Sequence, residues 1–131
     1  MASQNYGIPI PILRIFDEAK AREFYLGFLG FAIDFEHRFE PGLPLYMGIS
    51  KGACRFHLSE HHGDGTPGTR VRVEVPDVDA LSVELVAKRY RNARPGVVAT
   101  DWGTRESAIA DPFGNYLVFY SNTSSASRPP G

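Results

Sequence analysis

Apolar residues fill most of residues 8–16, where Pro9 and Pro11 restrict the segment to the start of a strand or to a sheet edge. Asp17 follows as a helix N-cap, its carboxylate placed to accept from free amides of the first turn. Ala21, Phe24, Tyr25, Phe28 and Leu29 then recur with the spacing of one helical face, and Gly30 supplies a C′ residue, so an amphipathic helix is predicted. Phe31, Ile33, Phe35, His37 and Phe39 next alternate with Ala32, Asp34, Glu36, Arg38 and Glu40, the period of a strand, until Pro41 and Pro44 break it. Residues 45–50 and 54–59 predict two further strands joined at Lys51-Gly52.

Residues 60–68, EHHGDGTPG, are polar and rich in glycine and proline, which predicts a loop. Beyond it the pattern starts again. Val71, Val73 and Val75 oppose Arg70, Arg72 and Glu74; Asp77 or Asp79 then caps a helix with Val78, Leu81, Leu85 and Val86 on its apolar face. The basic residues Lys88, Arg89 and Arg91 suit its C-terminus. Residues 96–100, 105–110 and 116–120 complete a second strand–helix–three-strand unit. Asp17 and Asp77 stand sixty residues apart at corresponding points, so the chain reads as an internal repeat of structural type with little residue identity.

Each predicted sheet needs one face against its helix, and the valines of the second half take that place. Arg70 and Arg72 then face the other way, as do His57 in the first half and Tyr116, Val118 and Tyr120 in the last strand. Faces lined with aromatics and charges together favour small-molecule binding.

Composition narrows the partners. A chain of 131 residues, 43% hydrophobic, buries a core of one domain. A net charge of −1 and no basic run exclude general attraction to nucleic acid. No apolar run reaches the ~18 residues of a membrane span, and the first six residues lack the marks of a secretion signal. Cys54 is the single cysteine, which excludes an intramolecular disulfide and points to a reducing, cytoplasmic setting, with Cys54 itself a small buried hydrophobe. The Ser/Pro-rich residues 123–131 are expected to be a flexible tail.

The most specific stretch is DWGTRESAIADPFGNYLVFYSN, residues 101–122: two short strands around Asp111-Pro112-Phe113-Gly114-Asn115, in which Pro112 fixes φ and Gly114 and Asn115 tolerate positive φ. Together with IPILRIFDEAKAREFYLGFLGF at residues 10–31, it resembles the glyoxalase/bleomycin-resistance family of the vicinal oxygen chelate superfamily. Trp102-Gly103, Arg105-Glu106 and Asp111 to Asn115 resemble the C-terminal signature of the bleomycin-resistance branch. The resemblance implies an α+β fold of paired βαβββ modules, mixed sheets forming a cleft with helices on the outer faces. It implies one domain over residues 1–131: module one at about 7–61, loop 62–68, module two at about 69–122. It also implies a homodimer whose clefts form where modules of different chains meet.

Enzymes of that superfamily hold a divalent metal with one ligand from the first and one from the last strand of each module, positions that fall at or near Ile10, His57, Arg70 and Val118. Only His57 is a metal ligand by type; Ile10 and Val118 lack donor atoms and Arg70 repels a cation. No cofactor and no metal are therefore expected, with His57 the sole candidate ligand. The adjacent His61 and His62 point apart in a strand or loop and lack the helical spacing that puts two imidazoles on one ion.

What the resemblance implies is a non-catalytic binding protein that confers resistance by sequestering a bleomycin-type antibiotic. Trp102 would stack on the ligand, Phe35 and Phe39 would wall the groove unless taken up by core or interface, and Glu106, Asp101 or Glu40 would meet a cationic tail. Two alternatives stand beside it. One is a metal-dependent glyoxalase- or dioxygenase-like enzyme using His57 with Glu60 or Tyr116. The other binds an acidic metabolite through Arg70 and Arg72, whose guanidinium groups suit carboxylates and sit poorly with a cationic bleomycin.

Overall fold

The computed structural model describes residues 4–91 and 95–123. Two four-stranded mixed sheets carry the chain. The first contains β1 (Ile12–Arg14), β2 (Ala32–His37), β3 (Tyr46–Lys51) and β4 (Cys54–Ser59) in the order β1-β4-β3-β2. The second contains β5 (Arg70–Glu74), β6 (Val98–Ala99), β7 (Thr104–Ala110) and β8 (Tyr116–Asn122) in the order β5-β8-β7-β6. In each, the first strand runs parallel to the last and the remaining pairs are antiparallel. The second sheet thus repeats the first element by element, and the paired βαβββ architecture is as the hydrophobic pattern predicts.

The first helix, α1 (Glu18–Ala21), starts at Asp17, whose carboxylate accepts from the Lys20 amide at 2.9 Å. It continues through Arg22–Phe28 with the wider π-type turn, closed by Leu29 N–H donating to the Phe24 carbonyl five residues back. Gly30, at φ +81°, ends it. The second helix, α2 (Val78–Ala87), starts at Asp77, which accepts from the Ala80 amide; Asp79 instead pairs with Arg105. Val86, assigned to the apolar face of α2, is exposed, because the contact with the sheet runs through Val78, Leu81 and Leu85.

One core joins the helix-facing sides of both sheets. Leu13, Met47, Ile49, Phe56 and Leu58 supply it from the first sheet, Ile109, Leu117 and Phe119 from the second, and Phe24, Tyr25 and Phe28 from the first helical segment. Tyr90 packs on Phe24 and Phe28 across the two halves, and Lys88 Nζ donates to the Phe28 carbonyl at 2.6 Å.

The Asp111–Asn115 turn is the other tie between the halves. Asp111 Oδ1 accepts from the amides of Phe113 and Asn115, both at 2.8 Å, and Oδ2 accepts from Asn115 Nδ2 and from the Tyr25 hydroxyl at 2.6 Å. Asn115 Nδ2 also donates to the Arg14 carbonyl. Asp111 and Asn115, within the stretch that carries the family resemblance, are therefore buried and hold one half against the other. Thr123 N–H bonds the Gly103 carbonyl; the rest of the expected tail lies outside the described residues.

Candidate functional site

The helices cover one side of each sheet and leave the other side open. On the first sheet, simple alternation places Phe31, Ile33 and Phe35 together, and the structure departs from this. Ile33 pairs with Ile49 and Phe35 with Gly48, so one extra residue, Asp34, stands between them as a β-bulge. Ser50 Oγ donates to Asp34 Oδ1 at 2.8 Å and holds the bulge in place. The added residue reverses the parity of the strand: Phe31 is buried in the core, whereas Phe35 is turned to the open face.

There the Phe35 ring lies over Gly48. A Cβ on Gly48 would stand 2.2 Å from Phe35 Cε1, so only glycine allows this approach. Tyr46 stacks beside Phe35 with ring centroids 6.2 Å apart, and His57 meets both rings edge-on at 5.2 Å. The Tyr46 hydroxyl and His57 Nδ1 are hydrogen-bonded at 2.7 Å. Burial, and then the Asp64 carboxylate, push the Tyr46 phenol above its ordinary value, so it stays protonated at neutral pH. Phe35, 42% exposed, is the outermost member of this aromatic platform.

Loop residues close one end of the platform. Asp64 accepts from Ser59 Oγ at 2.8 Å, and the His61 amide donates to the same hydroxyl at 3.0 Å. Arg14, level with Ser59 in the β1–β4 register, donates to the His61 carbonyl and lies 4.8 Å from the centroid of Phe16. Gly65 packs on β1, where a Cβ would meet the Ile12 carbonyl at 2.8 Å.

The open face of the second sheet is a row of arginines on tyrosines. Arg70 lies 4.9 Å over the Tyr116 ring and Arg72 4.5 Å over Tyr120. Arg72 is also bound by both oxygens of Glu106, at 2.7 and 3.3 Å, while Arg70 has no carboxylate partner among the described residues. The Arg72 hydrogen bond, helped by Thr104 and by the Trp102 side chain, holds the Glu106 carboxyl below its ordinary value. Val118, 6% exposed, lies between Arg72 and Ala108 in the register.

The candidate residues thus divide into groups. Phe35 and His57 share the first open face; Arg70, Arg72, Glu106, Tyr116 and Val118 share the second, with Trp102 beside it in the turn before β7, 66% exposed. No hydrogen bond, ion pair or ring contact among the described residues links side chains of the two faces. Phe39 joins neither: β2 ends at His37, and Phe39 lies in the following turn, 80% exposed. Tyr46, Gly48 and Asp64 were missed. Tyr46 alternates with the buried Met47 and Ile49, and that parity was the available signal for its placement on the open face.

As for metal chemistry, Ile12 is the β1 residue level with His57, Ile10 precedes the strand, and no group of three His, Cys, Asp or Glu side chains among the described residues is arranged to hold an ion. With Nδ1 engaged by Tyr46, only Nε2 of His57 is left to ligate.

A family model described as glyoxalase superfamily protein matches residues 3–125. Comparison with curated protein sequences gives no match. Among solved structures, the chain is similar to a bleomycin-binding protein from bleomycin-producing Streptomyces verticillus, determined with copper(II)-bleomycin: 28% identity, TM-score 0.68, 94% of this chain and 100% of that one covered. It is similar to TnmS3, an antibiotic binding protein from Streptomyces sp. CB03234, at 20% identity and TM-score 0.67, covering 92% and 100%. It is also similar to a glyoxalase family protein from Enterococcus faecalis at 13% identity and TM-score 0.70, covering 87% and 96%.

Proposed function

The chain belongs to the glyoxalase superfamily, and from that premise we propose that it is a non-catalytic, cytoplasmic small-molecule-binding protein that sequesters a bleomycin-type antibiotic. Two copies form a homodimer in which the aromatic face of one protomer's first sheet and the arginine–tyrosine face of its partner's second sheet enclose the ligand. The observation that carries this reading is the Phe35–Tyr46–His57 platform. It offers a flat, half-exposed aromatic surface, already ordered by the Gly48 contact and the Tyr46–His57 hydrogen bond, so little rotamer entropy is lost when a planar molecule stacks on it. The 28% identity to the bleomycin-binding protein, over 94% of this chain, supports the same ligand class.

Sequestration requires affinity and no reacting group. Trp102, exposed beside Glu106, stacks on the ligand from the second face. The alternative of an acidic ligand is favoured by one feature, the Arg70 guanidinium without a carboxylate partner among the described residues; Arg72, by contrast, is occupied by Glu106.

Titration with metal-free bleomycin, followed by fluorescence of the single tryptophan and by calorimetry, tests the proposal. A micromolar or tighter Kd, about −8 kcal/mol or better, with two ligands per dimer is expected. No binding at high micromolar concentration refutes the bleomycin assignment, and a monomer at that concentration refutes the shared cleft.

A further inference from the structure

On the helix side of the second sheet, between the two halves of the chain, lies a pocket of about 280 Å³. Its walls are Phe31, Cys54, Val73, Leu81 and Phe119, contributed by the residue before β2, the β3–β4 hairpin, β5, α2 and β8. Val73 and Phe119 are register partners whose side chains point away from the Arg72–Val118 row, so the pocket and the open face lie on opposite sides of one sheet. The pocket opens to solvent, and its volume is nearly twice the ~150 Å³ of an apolar cavity that takes up benzene.

The lining also restricts what can enter. None of the buried polar atoms without a hydrogen-bond partner lines this pocket. Two charged residues stand at its margin, of which Glu74 is engaged elsewhere. Glu74 accepts from Asn122 Nδ2 at 3.0 Å, and Lys51 Nζ lies over Gly30 at the end of the first helical segment, 3.0 Å from where a Cβ would stand. Against these walls a charged ligand loses hydration with no counter-charge beyond Lys51 at the margin, whereas an apolar one gains contact with Phe31, Val73, Leu81 and Phe119.

We propose that this pocket is a second binding site, distinct from the sheet faces, for a compact uncharged aromatic molecule of about two fused rings. Cys54 was expected to be a buried hydrophobe; it is half-buried instead, and its thiol forms part of the wall. Burial raises the thiol above its ordinary value, so it stays neutral and reacts slowly at pH 7. Because it is the single cysteine, it reports occupancy of the pocket directly.

The test is the rate of Cys54 alkylation by iodoacetamide, read by intact mass, with indole as the probe. At indole concentrations ten times its Kd, alkylation is expected to slow about tenfold. Phe35→Ala, altered only on the open face, retains that protection; Leu81→Trp, which fills the pocket, abolishes it. An unchanged rate up to the solubility of indole overturns the proposal, as does protection that survives Leu81→Trp or disappears in Phe35→Ala. Should Leu81→Trp fail to fold, methyl NMR of the unaltered protein decides: indole must shift the Val73 and Leu81 methyl signals, and shifts confined to other methyls overturn the site. The proposal is independent of the antibiotic assignment, because failure of bleomycin to bind leaves Cys54 protection by indole untouched.

Discussion

The Tyr46 hydroxyl lies 2.7 Å from His57 Nδ1, and the two rings meet edge-on at 5.2 Å. This pair fixes the imidazole plane and removes one of its two nitrogens from other use. His57, the sole candidate metal ligand that the resemblance implied, braces an aromatic surface. Protein purified without chelators is expected to contain far less than one equivalent of any divalent metal by mass spectrometry. His57→Gln is expected to weaken ligand binding while leaving metal content unchanged; stoichiometric metal lost in that variant would contradict the binding-protein reading.

Gly48→Ala sets a methyl group against the Phe35 ring. Displacing the ring is expected to cost about 1–3 kcal/mol of stability and to weaken stacking ligands at least as much as Phe35→Ala does. Because Phe35 is the obstacle, Gly48→Ala made in a Phe35→Ala background should cost much less, and a thermal-unfolding double-mutant cycle measures the difference.

Tyr25 and Asp111 give a signature at high pH. Burial first, then the charge and hydrogen bond of Asp111, push the Tyr25 phenol well above its ordinary value. The unfolded chain therefore loses this proton near pH ~10 while the folded chain keeps it. The contribution to stability is complete below that pH and is lost as pH rises toward the folded value. Urea unfolding between pH 9 and 11 should show stability falling more steeply in the wild type than in Tyr25→Phe. At pH 7 the same variant is expected to be less stable by about 1–3 kcal/mol, since a buried carboxylate loses a donor.

Glu106→Gln separates the charge requirements of the second open face. Arg72 is half exposed while Glu106 is 15% exposed, so loss of the pair is expected to change stability by about 1 kcal/mol. Arg72 is then released beside Arg70. Affinity for planar anions should rise and affinity for planar cations fall, which calorimetry with a matched pair of ligands measures.

Much of the fold was legible because hydrophobic period and capping residues agree along the chain: Asp17 and Asp77 cap as their side chains suggest, and the valines of β5 face α2. The site was less so. Phe35 was a candidate groove wall unless taken up by core or interface, and its side of the sheet depends on the bulge at Asp34, which the alternation of Phe31, Ile33 and Phe35 conceals. Tyr46 carries no motif and becomes important only through its cross-strand neighbours. The Asp111–Asn115 turn was read correctly as a turn, while its burial against Tyr25 depends on residues 86 positions apart in the chain. Local patterns do not report contacts of that range.

The bulge in β2 also separates length from chemistry as sources of a binding surface. Were the same residues paired without the bulge, Phe35 would oppose Met47 and turn toward the helices, leaving the Gly48 backbone bare; deletion of Asp34, by contrast, keeps Phe35 opposite Gly48. Within this fold, then, the platform depends on the pairing register and not on aromatic content alone, and two homologues with matching hydrophobic strings can differ in whether they possess a platform at all.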